Sequence, residues 1–249
     1  MPDTTELEQF SEEFFQDILS ESENGGWRED IFFDKFTEYL TDAGEFNESI
    51  RASYQPASGQ LRVDGYCGDP LESGSAGEPD GPLTLGLIVL DFHQSGDLVT
   101  LGTRDMNAIF NRLMRYLNSA LNPQWRRSLE TSDPGFGLAD LIATRWSQIT
   151  KIRLFLLTNK VLSNRVDGKT AGDYQGRSVV YSVWDIKRLF TLTKAANGQE
   201  PLQVRFDEKP LHPLRALLAS AKDADNPVYL IACLLYTSDA ADEGLGVDL

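Results

Sequence analysis

Hydrophobic residues recur at helical spacing in the first part of the chain. Phe10, Phe14 and Ile18 are four residues apart in an acidic segment, which predicts an N-terminal amphipathic helix. A second helix is predicted where several apolar positions share one arc of a helical wheel, with Asp30 as its N-cap and Gly44 at its end. These positions are Phe32, Phe33, Phe36, Tyr39 and Leu40.

The next segments have the patterns of strands. Residues 50–54, a segment around Asp64 and the almost unbroken apolar run 83–92 follow in that order. A run as apolar as the third is typical of a central strand that is covered on both faces. Residues 68–81 are rich in Gly, Ser, Pro and acids, which predicts a mobile, exposed connection.

The second half of the chain alternates helical and strand patterns. Thr103 is the predicted cap of a strongly amphipathic helix, and a further helix is predicted over residues 138–149. Strands are then predicted at 152–157 and 179–183, a helix at 185–192, and a half-exposed strand at 202–206. The order of helix, three strands, helices, strand, strand and helix predicts an α/β domain, with a mixed central sheet flanked by helices.

Composition and charge limit the partners of the chain. With 249 residues and 41% hydrophobic content, it can form one large domain, but its net charge of −15 repels phosphate backbones. Nucleic-acid binding therefore needs a local basic patch. The one candidate combines Trp125 with four arginines, and it is either a phosphate-facing surface or the cationic end of a helix. The arginines are Arg112, Arg115, Arg126 and Arg127.

Cysteine usage and the lack of apolar spans indicate a compartment. Cys67 and Cys233 have no CxxC or Cys/His ligand spacing, so no disulfide framework or structural zinc site is indicated. The N-terminus has no signal-peptide pattern, and the apolar run 228–236 is too short to cross a bilayer. These features predict a cytoplasmic protein without a membrane partner.

Two aspartates leave apolar strands on neighbouring segments. Asp64 shares a strand face with Arg62, and the period of two places Asp91 and His93 on one face at the end of the third strand. Two carboxylates and an imidazole at one sheet end suit Mg²⁺ or Mn²⁺, with Asp64 and Asp91 as metal ligands and His93 as a ligand or general base. In the alternative interpretation, Asp64 heads the turn into Gly65 and Asp91 caps a strand end in solvent, with no cofactor.

Two further candidates are excluded by their context. Glu38 falls roughly 160° from the centre of the apolar arc of its helix, so it is expected to face water. Residues 167–170 resemble the end of a phosphate-binding loop, but Ser163 stands where the loop needs glycine and no helix pattern follows.

Four segments together carry a family resemblance. Residues 62–66, 83–92, 151–159 and 183–189 resemble the N-terminal region of the abortive-infection phage-resistance (AIPR) family, over roughly residues 33–232. The resemblance implies a role in bacterial antiviral defence. It also implies a larger C-terminal domain of the same protein as a partner.

The element order and the two aspartates also resemble the PD-(D/E)xK fold, which implies a restriction-endonuclease-like core. Its motif maps onto Asp64 and Asp91-x-His93, but its lysine does not map. The chain has no lysine between Lys35 and Lys151, which excludes a relocated lysine within the three-strand core. The domain is therefore expected to be either a metal-dependent nuclease with an atypical D…DxH site or a catalytically inactive binding, regulatory or scaffold module.

Three regions are predicted along the chain. Residues 1–28 form an acidic helix, residues 29–232 form the nuclease-like domain, and residues 233–249 form a tail with neither helical nor strand period. The tail resembles translated sequencing-adapter read-through. The natural protein is accordingly expected to continue past Ala232.

Overall fold

The structure is a computed structural model. It describes residues 4–23, 25–46, 48–68, 83–163, 172–195, 216–220 and 228–231. The chain divides into two compact units, Met1–Glu200 and Pro201–Leu249.

The helices of the described residues all lie in the first unit. They are α1 (Thr4–Glu23), α2 (Arg28–Asp42), α3 (Thr103–Ala120), α4 (Pro123–Arg127), α5 (Pro134–Arg145) and α6 (Ile186–Lys194). The end of α2 follows from its glycine: Gly44, at φ +77°, directly follows the C-cap Ala43, and this left-handed conformation is open to glycine without a steric cost. The predicted role of Gly44 is thereby confirmed.

The strands of the first unit build one central sheet and one small parallel pair. They are β1 (Ser49–Tyr54), β2 (Val63–Gly68), β3 (Leu83–Asp91), β4 (Thr100–Leu101), β5 (Ile149–Thr158), β6 (Val161–Leu162), β7 (Gly172–Tyr174) and β8 (Arg177–Trp184). The central sheet has the order β1-β2-β3-β5-β8-β7, and β4 pairs with β6. Strands β3, β5 and β8 are parallel, while β1, β2 and β7 join antiparallel, so the sheet is mixed. The α/β class with a mixed sheet flanked by helices is confirmed.

Strand β3 is apolar over most of its length because helices cover both faces of the sheet. Leu85, Leu87 and Val89 join the core formed with α3 and α5, whereas Ile88 and Leu90 join the core formed with α1, α2 and α6. All five side chains are at most 3% exposed. Each stabilises the fold by about 1.5–3 kcal/mol relative to an exposed position. Because both faces of β3 are apolar, burial alone does not fix its register. The pairing with β5 does, and it places the last residue of β3, Asp91, opposite Thr158.

Several helix boundaries differ from the sequence-based predictions. Helix α5 begins at Pro134, after the N-cap Asp133, and ends at Arg145, whereas the predicted helix covered 138–149 and so included Ile149, the first residue of β5. Helix α2 begins at Arg28 with Trp27 as N-cap, so Asp30 lies inside its first turn, where its charge favours the positive helix end. Helix α3 begins at Thr103 itself, and its N-cap is Gly102 without a side-chain hydrogen bond. Strands β4, β6 and β7 and helix α4 were not predicted, because segments of two to five residues are too short to show a period.

In the second unit the described residues form an antiparallel pair, β9 (Ala216–Ser220) and β10 (Val228–Ile231). Several predicted segments lie outside the described residues: the connection after Gly68, residues 167–170, residues 202–206 and the tail. Within the described part of the chain, no helix is long and apolar enough to cross a membrane.

Candidate functional site

The candidate site lies at the edge of the sheet where β3 and β5 end. These strands are parallel, and their register pairs Asp91 with Thr158. The Thr158 hydroxyl donates to the Asp91 backbone carbonyl at 2.8 Å and lies 3.4 Å from the carboxylate Oδ2. Because parallel strands end at the same edge, residues that follow Thr158 reach the Asp91 side chain.

Lys160, two residues after Thr158, contacts the Asp91 carboxylate. Lys160 Nζ lies 3.0 Å from Asp91 Oδ1, and the two side chains are 23% and 19% exposed. An ion pair with this access to water contributes little to stability, about 0–1 kcal/mol. A ligand can therefore displace or extend it at low cost.

Asp64, by contrast, is a buried part of the scaffold. Its carboxylate is 6% exposed and accepts from Arg62 Nε at 2.8 Å and 3.2 Å, one distance to each oxygen. It also accepts from the Leu90 backbone N–H at 2.8 Å. The ladder between β2 and β3 stops at the pair Gly65 and Ile88, so the Asp64 side chain provides the hydrogen bond that β2 no longer supplies.

Arg62 connects the acids of the site. Its Nη2 lies 3.5 Å from Glu29 Oε2, in the first turn of α2. Burial lowers the pKa of Arg62, but the negative charges of Asp64, Glu29 and Asp91 more than offset this effect and raise it overall. The guanidinium is therefore a permanent cation among three carboxylates.

Helix α2 thus directs Glu29, and not Glu38, toward the sheet edge. Glu38 is exposed, as the helical wheel predicted. Glu29 was missed because the predicted helix began at Asp30, which left Glu29 outside it. The pair Gly25-Gly26, directly before Trp27, was the available sequence signal of an earlier start.

Asn159 fixes the chain that leaves β3. Its side-chain carbonyl accepts from the His93 N–H at 2.7 Å, and its amide donates to the carbonyls of His93 at 2.7 Å and Ser95 at 3.3 Å. Strand β3 ends at Asp91, so the period of two that placed His93 beside Asp91 does not continue to His93. No hydrogen bond joins the His93 imidazole to Asp64 or Asp91, all of which are described residues. A ligand or base role for His93 stays a prediction.

The donor set restricts how a metal can bind. Within the described residues, no three His, Cys, Asp or Glu side chains are close enough together to hold an ion. Mg²⁺, however, commonly uses one or two carboxylates together with water and substrate phosphate. The partly exposed Asp91 fits such a site, whereas Asp64 already accepts three hydrogen-bond contacts. Metal binding by Asp64 and Asp91 stays a prediction.

The segment 183–189 has a structural role next to the site. Asp185 is 7% exposed and caps α6 by accepting from the Arg188 N–H at 2.7 Å. Its other oxygen accepts from the Leu162 N–H at 2.7 Å, which ties α6 to β6. Residues 151–159 similarly supply β5 and the Asn159 contacts, so both segments hold the sheet edge in place.

The predicted basic patch is used in part by the fold itself. Arg126 Nη1 donates to the Ala120 carbonyl at 2.6 Å, at the C-terminus of α3. Arg115 approaches the Gln60 carbonyl at 3.5 Å, and Arg127 is exposed. The Arg126 contact matches the helix-end interpretation, in which a cation satisfies terminal carbonyls. Nucleic-acid binding by this patch stays a prediction.

Lys160 is the functional candidate that the sequence argument missed. Lys160 follows β5, the fourth long strand of the sheet, and so lies outside the three-strand core that ends with β3. The segment Thr158-Asn159-Lys160 directly after an apolar strand was the available signal. Only the parallel pairing of β3 with β5 makes that lysine a neighbour of Asp91.

The fold and the site define an α/β domain with an acid and lysine cluster at one edge of a mixed sheet. The chain belongs to the family described as the abortive infection phage resistance protein N-terminal domain, whose family model matches residues 32–191, more than half of the chain. This assigns it to a phage-defence family and confirms the resemblance found in the sequence. No curated protein and no solved structure matches the chain.

Proposed function

We propose that this domain is a metal-dependent phosphodiesterase module of an abortive-infection defence protein, with a restriction-endonuclease-like core. The observation that carries the proposal is the 3.0 Å contact between Lys160 Nζ and Asp91 Oδ1. It supplies the lysine that the Asp91-x-His93 segment lacks. The element order of helix, three antiparallel strands, helices and a parallel strand agrees with such a core.

Each residue has a distinct part in this proposal. Asp91 would hold Mg²⁺ or Mn²⁺ at its accessible carboxylate, and Asp64 would be a second ligand only in place of its contact with Arg62. When bound, such a metal activates water and stabilises negative charge on a phosphoryl group. Lys160 donates a hydrogen bond to the attacking water or to the phosphate, and Arg62 offers a second cation to the phosphate.

A second candidate function is a non-catalytic module that supports a C-terminal domain of the same protein. The hydrogen bonds of the Asp64 carboxylate favour it, because the Arg62 and Leu90 contacts give this residue a structural role without a metal. In that case the ion pairs only hold the ends of β2, β3 and β5 together.

A cleavage assay with Mn²⁺ or Mg²⁺ separates the candidates. Wild type is compared with Asp91→Asn and Lys160→Met on single-stranded and duplex DNA and RNA, and Lys194→Met is the matched lysine control. Lys194 lies in the last turn of α6, is 61% exposed and pairs only loosely, at 3.6 Å, with Glu6. We expect metal-dependent cleavage by wild type and by Lys194→Met, and a loss of roughly 100-fold or more in the two site variants.

The His93→Ala variant decides between lysine and histidine. Cleavage that survives His93→Ala but not Lys160→Met assigns proton transfer or charge stabilisation to the lysine, and the reverse result assigns it to His93. If no substrate is cleaved and Mn²⁺ shifts the melting temperature of wild type and Asp91→Asn equally, the phosphodiesterase proposal is wrong and the structural module stands.

A further inference from the structure

A cleft of about 700 Å³ opens beside the site, between the end of α1 and the start of α2. Its lining includes Trp27, Arg28, Glu29 and Asp30 from the start of α2, Ser53 from β1 and Gln94 from the chain after β3. A volume of this order holds a group the size of a nucleoside or a small organic ligand.

Trp27 is the unusual member of this lining. Its side chain is 81% exposed, although its backbone is fixed: the Trp27 carbonyl accepts from the N–H groups of Asp30 and Ile31 at 3.0 Å and 3.1 Å. Every other tryptophan of the chain packs against a neighbour: Trp125 against Tyr54 and Tyr116, Trp146 against Tyr174, and Trp184 beneath Arg188. The indole of Trp27 is therefore an uncovered aromatic face on a rigid helix start.

Two lining residues connect the cleft to the site of Asp64, Asp91 and Lys160. Glu29 lines the cleft and also contacts Arg62, which binds Asp64. On the other side, Gln94 is three residues from Asp91 and accepts from Arg28 Nη1 at 3.4 Å. The cleft and the site are therefore joined by the Glu29–Arg62–Asp64 contacts and by the short segment from Asp91 to Gln94.

The net charge of −15 of the whole chain would repel a nucleotide, but the two acids that line the cleft are each paired with an arginine. Asp30 is paired with Arg51 at 3.0 Å, and Glu29 with Arg62 at 3.5 Å. Arg28 lines the cleft as a cation whose Nη1 donates to the neutral Gln94 side chain, and a guanidinium there can bind a phosphate. Gln94 and Ser53 add neutral hydrogen-bonding groups that can contact the edge of a base.

We propose that this cleft binds an unpaired base of a single-stranded nucleic acid by stacking on Trp27, and so positions the adjacent phosphate at Asp91 and Lys160. The inference rests on the proposed phosphodiesterase function and names its substrate class. A base inside a duplex is already stacked on its neighbours, so only an unpaired base can use the indole without an unstacking cost. Stacking depends little on ionic strength, which fits an acidic protein that cannot rely on long-range attraction.

The test is a binding titration of the full chain with short oligothymidylate in EDTA, where no metal-dependent cleavage occurs. Tryptophan fluorescence and fluorescence anisotropy are followed for wild type, Trp27→Ala and Trp27→Phe. Ile50→Ala is the control, because Ile50 is another exposed apolar residue, at 39%, and does not line the cleft. All four proteins are first compared by circular dichroism.

We expect the oligonucleotide to quench the tryptophan fluorescence of wild type. Its affinity for Trp27→Ala should be lower than for wild type by roughly tenfold or more. Trp27→Phe should have an intermediate affinity, and Ile50→Ala the affinity of wild type. Because Trp27 is exposed, its replacement is expected to leave the fold intact. Binding that is as tight to a duplex of the same length, or that is unaffected by Trp27→Ala, overturns the inference.

The outcome is separable from that of the proposed function. If Lys160→Met abolishes cleavage while Trp27→Ala changes neither binding nor cleavage, the phosphodiesterase proposal stands and the stacking inference is wrong. If the oligonucleotide binds in a Trp27-dependent way but no metal supports cleavage, the cleft binds single strands and the enzymatic proposal is wrong.

Discussion

Replacing Asp64 with alanine is expected to destabilise the domain far more than replacing Asp91. The two aspartates look equivalent along the sequence, but Asp64 is 6% exposed with three hydrogen-bond contacts, and the Asp91 side chain is 19% exposed with a lysine that also reaches water. The comparison therefore tests whether burial separates their roles.

The magnitude follows from the groups that Asp64→Ala leaves unpaired. The buried Leu90 N–H loses its acceptor, at a cost of about 1–3 kcal/mol. Arg62, 15% exposed, loses its main partner, and removal of one partner of a buried ion pair costs about 3–5 kcal/mol. Because Glu29 remains within 3.5 Å and can compensate in part, we expect a total loss of about 3–5 kcal/mol. For Asp91→Ala we expect at most about 1 kcal/mol.

Urea denaturation followed by circular dichroism measures both values, and Asp64→Asn is the control. The asparagine keeps an oxygen for the Leu90 N–H but removes the charge opposite Arg62, so an intermediate loss of about 1–2 kcal/mol is expected. If Asp64→Ala costs less than about 1 kcal/mol, or no more than Asp91→Ala, the reasoning that Asp64 completes the β2–β3 ladder is refuted.

Three further predictions concern the surroundings of the site. Asn159→Ala should lower the free energy of unfolding, measured by urea denaturation, by about 2–3 kcal/mol, because the His93 N–H loses its acceptor. The control Asn118→Ala, at an exposed position, should lower it by under about 1 kcal/mol. Equal losses would contradict the Asn159 contacts. Burial raises the pKa of the Cys67 thiol from 9.0 to about 12, so the folded state holds the thiol proton more tightly than the unfolded state. The resulting stabilisation is complete below pH 9 and is lost as the pH rises toward 12, by about 1.4 kcal/mol per pH unit. The free energy of unfolding should therefore fall more steeply with rising pH for wild type than for Cys67→Ala. Parallel curves for the two proteins would exclude the effect. Gly65→Ala should lower the melting temperature strongly, since the added methyl group would meet the Phe33 ring and lie 2.7 Å from the Ile50 carbonyl oxygen. The control Gly137→Ala should not lower it, because a methyl group at this position in α5 meets open space. An unchanged melting temperature for Gly65→Ala would refute the close approach.

The local elements were largely predictable because their patterns report on short-range physics. The apolar run of β3 and the four-residue spacing of Phe10, Phe14 and Ile18 follow from which side chains a covered strand or an amphipathic helix must bury. The order of elements then limited the chain to an α/β domain with a mixed sheet. The starts of α2 and α3 were less predictable, since their N-caps, Trp27 and Gly102, make no capping hydrogen bond with a side chain.

The composition of the site was only partly predictable, because it depends on contacts between distant segments. The sequence identified Asp64 and Asp91 as acids leaving apolar strands, and four segments indicated the family to which the chain belongs. It could not show that Lys160, 69 positions after Asp91, would be its ion-pair partner. Nor could it distinguish a buried Asp64 from an accessible Asp91, since the same residue type in similar patterns gave no measure of burial.

The sequence by itself determined the long helices, the long strands and the family, because hydrophobic periodicity and short motifs are properties of neighbouring residues. The tertiary structure alone decided which charges meet at the sheet edge. The parallel pairing of β3 with β5 brought Lys160 to Asp91, and the early end of the β2–β3 ladder gave Asp64 the Leu90 N–H. Strand pairing and register are long-range properties, and they determine the charge environment of each carboxylate.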